Sequence, residues 1–285
     1  MASALTADLV RPSERREILA HLGRDAVSNL FLMDMAERVG SRALPGELRT
    51  ELAVARRRGA IAGVAGLRPS VVLDAEVGAD AIEALLPFFE ALGVGLMKSG
   101  AAAVEELWAR LRRRSPRRAL LDRHETAYLV RPSELRPAPT PPGARLRPAC
   151  ELDLGPLVIA ARESLREEGR PDPFAGDARG FRRWVRGRVG HARVVESHGR
   201  VVFAGYADVQ RPEGWLLQGV YTWPDARGQG HAAAGVSALC REAFEAGADH
   251  VQLAVVEGNL TAERLYQRLG FEPFARLRTI LFSDA

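Results

Sequence analysis

A glycine-containing turn at positions 223–232 has the residue types of an anion-binding site. Gly228 and Gly230 remove side chains where the backbone enters a predicted helix, so a bulky anion can approach the free amide groups of the helix N-terminus. The helix dipole favours negative charge there, and Arg227 is placed to add charge-assisted hydrogen bonds. Pyrophosphate is a natural ligand for such a turn. Taken alone, the same residues also fit an ordinary glycine-containing loop.

A second segment with a recognisable pattern lies downstream, after the next predicted strand at 250–256. It reads N-x-x-A-x-x-L-Y-x-x-x-G-F, beginning at Asn259 and ending at Phe271. The pattern predicts a helix over 261–269 that is closed by Gly270. The order of the two segments along the chain carries more information than either segment alone.

The elements that must position these residues follow from apolar periodicity. A continuous apolar run at 216–222 predicts a strand before the turn, and an apolar stripe at 230–246 predicts the helix after it. Upstream, the segment from 192 to 222 predicts three strands joined by two polar turns. The sequence therefore predicts a mixed sheet with helices, the α/β (α+β) class.

The turn also resembles a dinucleotide-binding fingerprint, because Gly228, Gly230 and Ala233 match its relaxed form and Glu257 follows the next strand. That fingerprint requires a tight turn from the strand to the first glycine, whereas several residues including Pro224 intervene here. Too little chain remains after the turn to complete a dinucleotide-binding sheet. We therefore disfavour this alternative.

A proline-rich stretch at 131–148 divides the 285-residue chain into two parts, which we place at 1–138 and 144–285. Both parts begin with a strand followed by a helix and continue with a strand hairpin, which predicts a tandem duplication. The first part has no glycine-rich turn after its third strand. We expect it to be a degenerate copy.

Composition excludes several classes of protein. The net charge is +4, and acidic residues are interspersed among the arginine clusters, so we expect no nucleic-acid partner. Two cysteines do not indicate a disulfide framework, and the scattered histidines predict no metal site. We find no uninterrupted apolar run long enough for a membrane span and no apolar core of a signal peptide. A cytoplasmic protein with no membrane association is expected.

Together the two segments resemble the signatures of the GNAT (N-acetyltransferase) superfamily. The turn Arg227-Gly228-Gln229-Gly230-His231-Ala232 matches its (Q/R)-x-x-G-x-(G/A) motif, and the helix from Asn259 to Phe271 matches its second signature. A degenerate GNAT-like half followed by an intact one is similar to tandem bacterial GNAT proteins. The resemblance implies tandem GNAT-like acyl-CoA N-acyltransferase folds and acetyl-CoA as the co-substrate, with no metal.

The resemblance also implies a set of cofactor-binding residues. The pantetheine arm would pair with the strand backbone between two parallel strands that splay apart, and the amides of the turn would hold the pyrophosphate. Asn259 would reach the pantetheine amides. The full set is Val220, Tyr221, Thr222, Arg227, Gly228, Gln229, Gly230, His231, Ala232, Asn259 and Tyr266.

For catalysis, the resemblance assigns Tyr266 as the general acid that protonates the departing thiolate. Its ordinary pKa near 10 keeps it protonated at neutral pH. The candidate general bases are Glu168 and Asp208, and Glu167 and Glu168 are the candidate acceptor-binding residues. We expect the side chain of His231 to point away from the phosphates and assign it no catalytic role.

The predicted activity is transfer of the acetyl group of acetyl-CoA to a primary amine of a small molecule or a protein. Two alternatives stay open: a non-catalytic acyl-CoA-binding regulator, and a transferase that takes its acyl group from aminoacyl-tRNA. The first half is expected to have a structural role and to form one side of the acceptor cleft. A separate recognition role, or a homodimer formed through that half, also stays open.

Overall fold

The computed structural model describes residues 5–43 and 48–285, and the chain divides into two compact units. The N-terminal unit contains the described residues up to Thr126 together with Ala275–Ala285, and the C-terminal unit contains Ala127–Phe274. The predicted first domain, 1–138, includes positions 1–4 and 44–47, which lie outside the described residues. Within the described ranges, no helix is both long and apolar enough to cross a bilayer.

The N-terminal unit contains a four-stranded antiparallel sheet in the order β1-β2-β3-β4. Arg58 and Gly59 both have positive φ and form the tight turn between β2 and β3, as a two-residue hairpin requires. The elements are β1 (Thr6–Leu9), α1 (Arg15–Leu22), α2 (Ala26–Glu37), β2 (Glu51–Arg57), β3 (Ala60–Arg68) and β4 (Val72–Leu73).

The chain then continues through α3 (Ala79–Glu90), β5 (Val94–Gly100), α4 (Ala101–Arg114) and β6 (Arg117–Val130), and β6 runs on into the C-terminal unit. The last strand, β12 (Glu272–Asp284), pairs antiparallel with β5 from Leu277 to Ser283. Ile280 and Phe282 are fully buried in the core of the N-terminal unit. The N-terminal unit therefore includes the last strand of the chain, while the linear boundary between 138 and 144 stays a prediction about the sequence.

The C-terminal unit has the strand order β6-β11-β10-β9-β8-β7, in which β10 and β11 are parallel and β7, β8, β9 and β10 pair antiparallel. This mixed sheet with helices confirms the predicted α/β class. The elements are β7 (Ala144–Pro148), α5 (Leu154–Glu167), α6 (Ala178–Gly187), β8 (Ala192–Ser197), β9 (Arg200–Arg211), β10 (Gly214–Thr222), α7 (His231–Glu245), β11 (Val251–Val256) and α8 (Leu260–Arg268).

Two apolar layers hold this sheet. One layer packs α7 and α8 on the sheet around Phe203, and the other packs α5 and α6 around Phe181. Helix α7 lies so close to the sheet that a Cβ on Gly235 would meet the Phe203 ring at 2.2 Å. Any larger residue at 235 would push α7 from the sheet, and with it the turn that begins the helix.

Candidate functional site

The parallel strands β10 and β11 separate at the site. They pair at Trp215 and Leu216, and among the described residues β10 has no further partner on that edge although it continues to Thr222. Its other edge stays paired with β9 through Tyr221 and Thr222. The separation leaves one edge of β10 open to an extended ligand, in the manner of strand addition.

A β-bulge marks the place where the strands part. The register between β10 and β9 shifts after Gln218, so that Gly219 and Val220 together oppose one residue of β9. Gly219 has φ of 57°, and a Cβ there would lie 3.0 Å from the ring of Tyr206. Both the conformation and the packing therefore require glycine at 219.

The turn after β10 has the geometry that an anion-binding helix start requires. Gly228 and Gly230 have φ of 76° and 86°, and Arg227 to Gly230 are exposed. The first backbone hydrogen bond of α7 runs from the amide of Ala234 to the carbonyl of Gly230. The amides before Ala234 therefore lie at the helix N-terminus without a partner in the helix, where they favour an anion.

His231 begins α7, and its side chain is buried. Its Nδ1 has no hydrogen-bond partner in the part of the chain that the structure describes. The imidazole therefore lies in the protein interior, while the preceding residues of the turn are exposed. The backbone amide of His231 is the group that the turn contributes at this position.

The side chain of Arg227 is partly exposed, but it is bound to groups of the protein. Its Nη2 donates to both carboxylate oxygens of Glu167, at 2.7 and 2.8 Å, and its Nε donates to the carbonyl of Thr222 at 3.0 Å. The guanidinium also lies 5.6 Å from the centroid of the Tyr221 ring. A predicted cofactor-binding residue and a predicted acceptor-binding residue are thus paired with each other.

Asn259 caps helix α8, and its Oδ1 accepts a hydrogen bond from the amide of Ala262 at 3.2 Å. The residue is exposed and follows the end of β11. The capping bond uses the side-chain oxygen, so the amide NH₂ group is the part of Asn259 that can donate to a ligand.

Tyr266 lies in the apolar layer between the sheet and α7. Its ring packs edge-on against Phe271, with centroids 5.6 Å apart. Burial raises the pKa of the Tyr266 hydroxyl well above 10, and the nearby Cys240 and Glu168 raise it further. The hydroxyl is therefore protonated at every physiological pH and is available as a proton donor.

The two candidate bases have different surroundings. Asp208 accepts two hydrogen bonds from Arg188, from Nε at 3.1 Å and from Nη2 at 2.5 Å, and both side chains are largely buried. The Arg188 guanidinium also stacks on Trp184 and Tyr206. One guanidinium therefore occupies both oxygens of the Asp208 carboxylate.

Glu168 lies at the C-terminal end of α5, where it is half-exposed. Its carboxylate accepts from the Ser164 hydroxyl at 3.4 Å and lies 3.8 Å from Arg170. Its negative charge raises the pKa of Tyr266, so the two groups are within electrostatic range of each other. Of the predicted catalytic residues, Glu168 thus lies at the end of α5, Tyr266 lies in the apolar layer beside Phe271, and Asp208 is paired with an arginine.

The N-terminal unit lacks each of these features in its described residues. Its strand β4 is only Val72–Leu73, and the amide of Leu73 donates to the Ser99 hydroxyl on the neighbouring parallel strand β5. In the turn that follows, Asp74 accepts from the amide of Glu76, and Asn29 accepts from the amide of Ala75. The unit satisfies internally the backbone groups that an anion would bind.

Comparison with known proteins agrees with this geometry. Residues 158–271 match the acetyltransferase (GNAT) family, and the chain therefore contains a GNAT domain. No curated protein matches the chain.

Solved structures extend the fold over both units. A fruit-fly (Drosophila) protein aligns with a TM-score of 0.73 at 13% identity, covering 96% of this chain and 97% of its own. A GCN5-related N-acetyltransferase from Sphaerobacter thermophilus has a TM-score of 0.61 at 18% identity. The alignment covers 98% of this chain and 94% of that protein. A tandem GNAT protein from the clavulanic acid biosynthesis pathway has a TM-score of 0.54 at 15% identity, covering 98% and 97%. At these identities the likeness concerns the fold alone, which this chain shares over nearly its whole length with the tandem GNAT protein.

Sequence reasoning misses the two arginine partners. Arg188 is not among the predicted site residues, and the pairing of Arg227 with Glu167 joins residues 60 positions apart. A signal for the first is present, because Trp184 and Arg188 lie one helical turn apart and face the same side. We find no signal in the sequence for the second.

Proposed function

We propose that this chain is an N-acetyltransferase that moves the acetyl group of acetyl-CoA directly to a primary amine of a small molecule or a protein. The observation that carries the proposal is the separation of β10 from β11 after Leu216, followed by a turn with two left-handed glycines at the start of α7. An open strand edge suits an extended arm with amide groups, and the helix start suits a diphosphate. Coenzyme A has both parts in this order.

The residues of the site fit the acyl donor. The edge of β10 from Gly219 to Thr222 would pair with the pantetheine arm, and the NH₂ group of Asn259 would donate to its carbonyl oxygens. The amides from Gly228 to Ala232 would hold the pyrophosphate. Acetyl-CoA supplies the activated acyl group, and the protein supplies its position and the proton transfers.

In the proposed reaction, the amine nitrogen bonds to the acyl carbon and the bond from that carbon to sulfur breaks. Tyr266, whose raised pKa keeps its hydroxyl protonated at neutral pH, donates that proton to the departing sulfur. The nitrogen loses a proton to a carboxylate, directly or through one water molecule. The products are an amide and free coenzyme A, and no covalent enzyme species is needed.

We assign the base role to Glu168, whose carboxylate is half-exposed at the C-terminal end of α5. Asp208 is the weaker candidate, since Arg188 occupies both of its oxygens.

The proposal is tested by incubating the protein with acetyl-CoA and a panel of primary amines, including a lysine-containing peptide, while free thiol is measured. We expect at least one amine to release thiol, with kcat about 100-fold lower in Tyr266→Phe and with a much smaller loss of acetyl-CoA affinity. Binding of acetyl-CoA without turnover across the panel would favour the non-catalytic regulator. No binding of acetyl-CoA would refute both.

A further inference from the structure

The ion pair between Arg227 and Glu167 connects two parts of the C-terminal unit that are far apart in sequence. Glu167 is the last residue of α5, and Arg227 lies in the turn between β10 and α7. One guanidinium nitrogen contacts both carboxylate oxygens, at 2.7 and 2.8 Å. Both side chains remain partly exposed, so the pair can exchange partners without unfolding any element.

Arg227 is also the one arginine of the glycine turn, beside the amides that favour an anion. A diphosphate at these amides carries two negative charges where a carboxylate carries one, and arginine binds phosphate strongly. Glu167 and a diphosphate therefore compete for the same guanidinium. Binding of the diphosphate by Arg227 would leave Glu167 without this partner.

We propose, on the basis of the proposed function, that Glu167 is a positioning residue that holds the Arg227 side chain on the α5 side of the turn. When acyl-CoA binds, its pyrophosphate replaces Glu167 as the partner of Arg227. The exchange frees a carboxylate at the end of α5, next to Glu168. That carboxylate is then available to the ammonium form of the acceptor amine. Acceptor binding at Glu167 is thereby coupled to occupation of the cofactor turn.

The nearby pair of Glu163 and Arg166 provides a matched control. It lies on the same helix, three residues apart, with a contact of 2.5 Å, and it involves no residue of the turn. Glu163→Gln removes the same charge as Glu167→Gln at a similar place in the unit. A general electrostatic effect on anion binding would appear in both variants, whereas competition for Arg227 appears only in Glu167→Gln.

The experiment measures binding of coenzyme A and of pantetheine, which lacks the diphosphate, by isothermal titration calorimetry. We expect Glu167→Gln to bind coenzyme A about two- to five-fold more tightly than the unsubstituted protein, the range of an exposed ion pair. Pantetheine affinity should not change. Arg227→Gln should bind coenzyme A about ten-fold more weakly. The double variant Glu167→Gln/Arg227→Gln should bind coenzyme A with the same affinity as Arg227→Gln, because without Arg227 there is no guanidinium for Glu167 to compete for.

The proposal is overturned if Glu167→Gln binds coenzyme A no more tightly than the unsubstituted protein, or if Glu163→Gln gains as much. It is also overturned if pantetheine affinity rises equally. Thermal unfolding of each variant verifies that it is folded. Failure of the unsubstituted protein to bind coenzyme A would instead refute the proposed function, so the two failures are distinguishable.

Discussion

The amide of Leu73 donates a hydrogen bond to the side-chain oxygen of Ser99 at 2.7 Å, and this contact closes the gap between two parallel strands of the N-terminal unit. In the C-terminal unit the strands β10 and β11 separate after Leu216 and leave an edge open. Both units thus contain parallel strands, and of these two parallel pairs it is β10 and β11 that separate and leave a strand edge open to a ligand.

We therefore predict that one molecule of coenzyme A binds per chain, which calorimetry measures directly. Gly228→Ala tests the location of that site. It forces a side chain into a conformation with φ of 76° at the exposed turn, and we expect at least ten-fold weaker binding because the amides shift.

Gly247→Ala is the matched control for this substitution. Gly247 has φ of 87° and, like Gly228, has open space where a Cβ would lie, but it follows the other end of α7. The two variants should lose similar stability, about 1 kcal/mol, and only Gly228→Ala should lose affinity. A second binding event that survives Gly228→Ala would contradict the prediction.

The second prediction separates the two candidate bases. Glu168→Gln should lower kcat about 100-fold with little change in melting temperature, because its side chain is half-exposed. Asp208→Asn should instead destabilise the fold by about 1–3 kcal/mol, since it removes the charged partner of a largely buried Arg188.

Two measurements verify the assignment, kcat and the midpoint of urea unfolding. Glu168→Gln should lose activity and keep its unfolding midpoint, whereas Asp208→Asn should lose stability and keep most of its kcat under conditions where it is folded. If folded Asp208→Asn loses kcat about 100-fold and Glu168→Gln keeps it, Asp208 is the base and its pairing with Arg188 opens during turnover.

The elements around the site could be predicted because their signals are local. The helix predicted over 230–246 is His231–Glu245 in the structure, and the strand predicted over 250–256 is Val251–Val256. Apolar periodicity and a glycine at each helix end determine such elements within a short window.

The contacts of the site could not be predicted in the same way, because they join distant residues. Arg227 and Glu167, which pair at 2.7 and 2.8 Å, are 60 positions apart. Outside the site, the last strand β12 likewise belongs to a unit that is formed mostly by the first half of the chain. The bulge at Gly219 depends on the packing of Tyr206 from the neighbouring strand. Which residues pair over such sequence separations depends on tertiary packing, and no local pattern in one sequence specifies that packing.

The third prediction concerns a buried carboxylate of the N-terminal unit. Glu125 contacts Lys98, Arg123 and Thr279. Burial by itself raises the pKa of Glu125, but the charges of Lys98 and Arg123 outweigh it and lower the pKa from 4.5 to about 2. At about 1.4 kcal/mol for each tenfold change in proton affinity, this corresponds to about 3 kcal/mol of stability at pH 7.

Because the folded-state pKa is the lower one, this stability is present above pH 4.5 and is lost as the pH falls toward 2. Glu125→Gln should therefore lower the free energy of unfolding by about 3 kcal/mol at pH 7. Glu106→Gln, which breaks an exposed pair with Arg110, should cost less than about 0.5 kcal/mol. If urea unfolding shows that the two substitutions lower the free energy of unfolding equally, the role of burial at Glu125 is contradicted.

The last prediction concerns the response of stability to mild acid. His250 is buried against Gly214, where a Cβ would lie 2.5 Å from the imidazole. Burial lowers the pKa of His250 below 6.5, and the charge of Arg131 lowers it further. The folded protein thus holds His250 neutral, whereas the unfolded chain takes up a proton as the pH falls through 6.5.

Stability contributed by neutral His250 is therefore present above pH 6.5 and is lost as the pH falls from 6.5 toward the folded-state pKa. We expect His250→Asn to be less stable than the unsubstituted protein at pH 7.5. Between pH 7.5 and pH 5.5, its free energy of unfolding should fall by less than that of the unsubstituted protein. His198→Asn is the control, because His198 is exposed and its φ of 49° is one that asparagine tolerates. Urea unfolding at both pH values measures how steeply the free energy of unfolding changes with pH. Parallel slopes for His250→Asn and the unsubstituted protein would show that another group is responsible for the acid response.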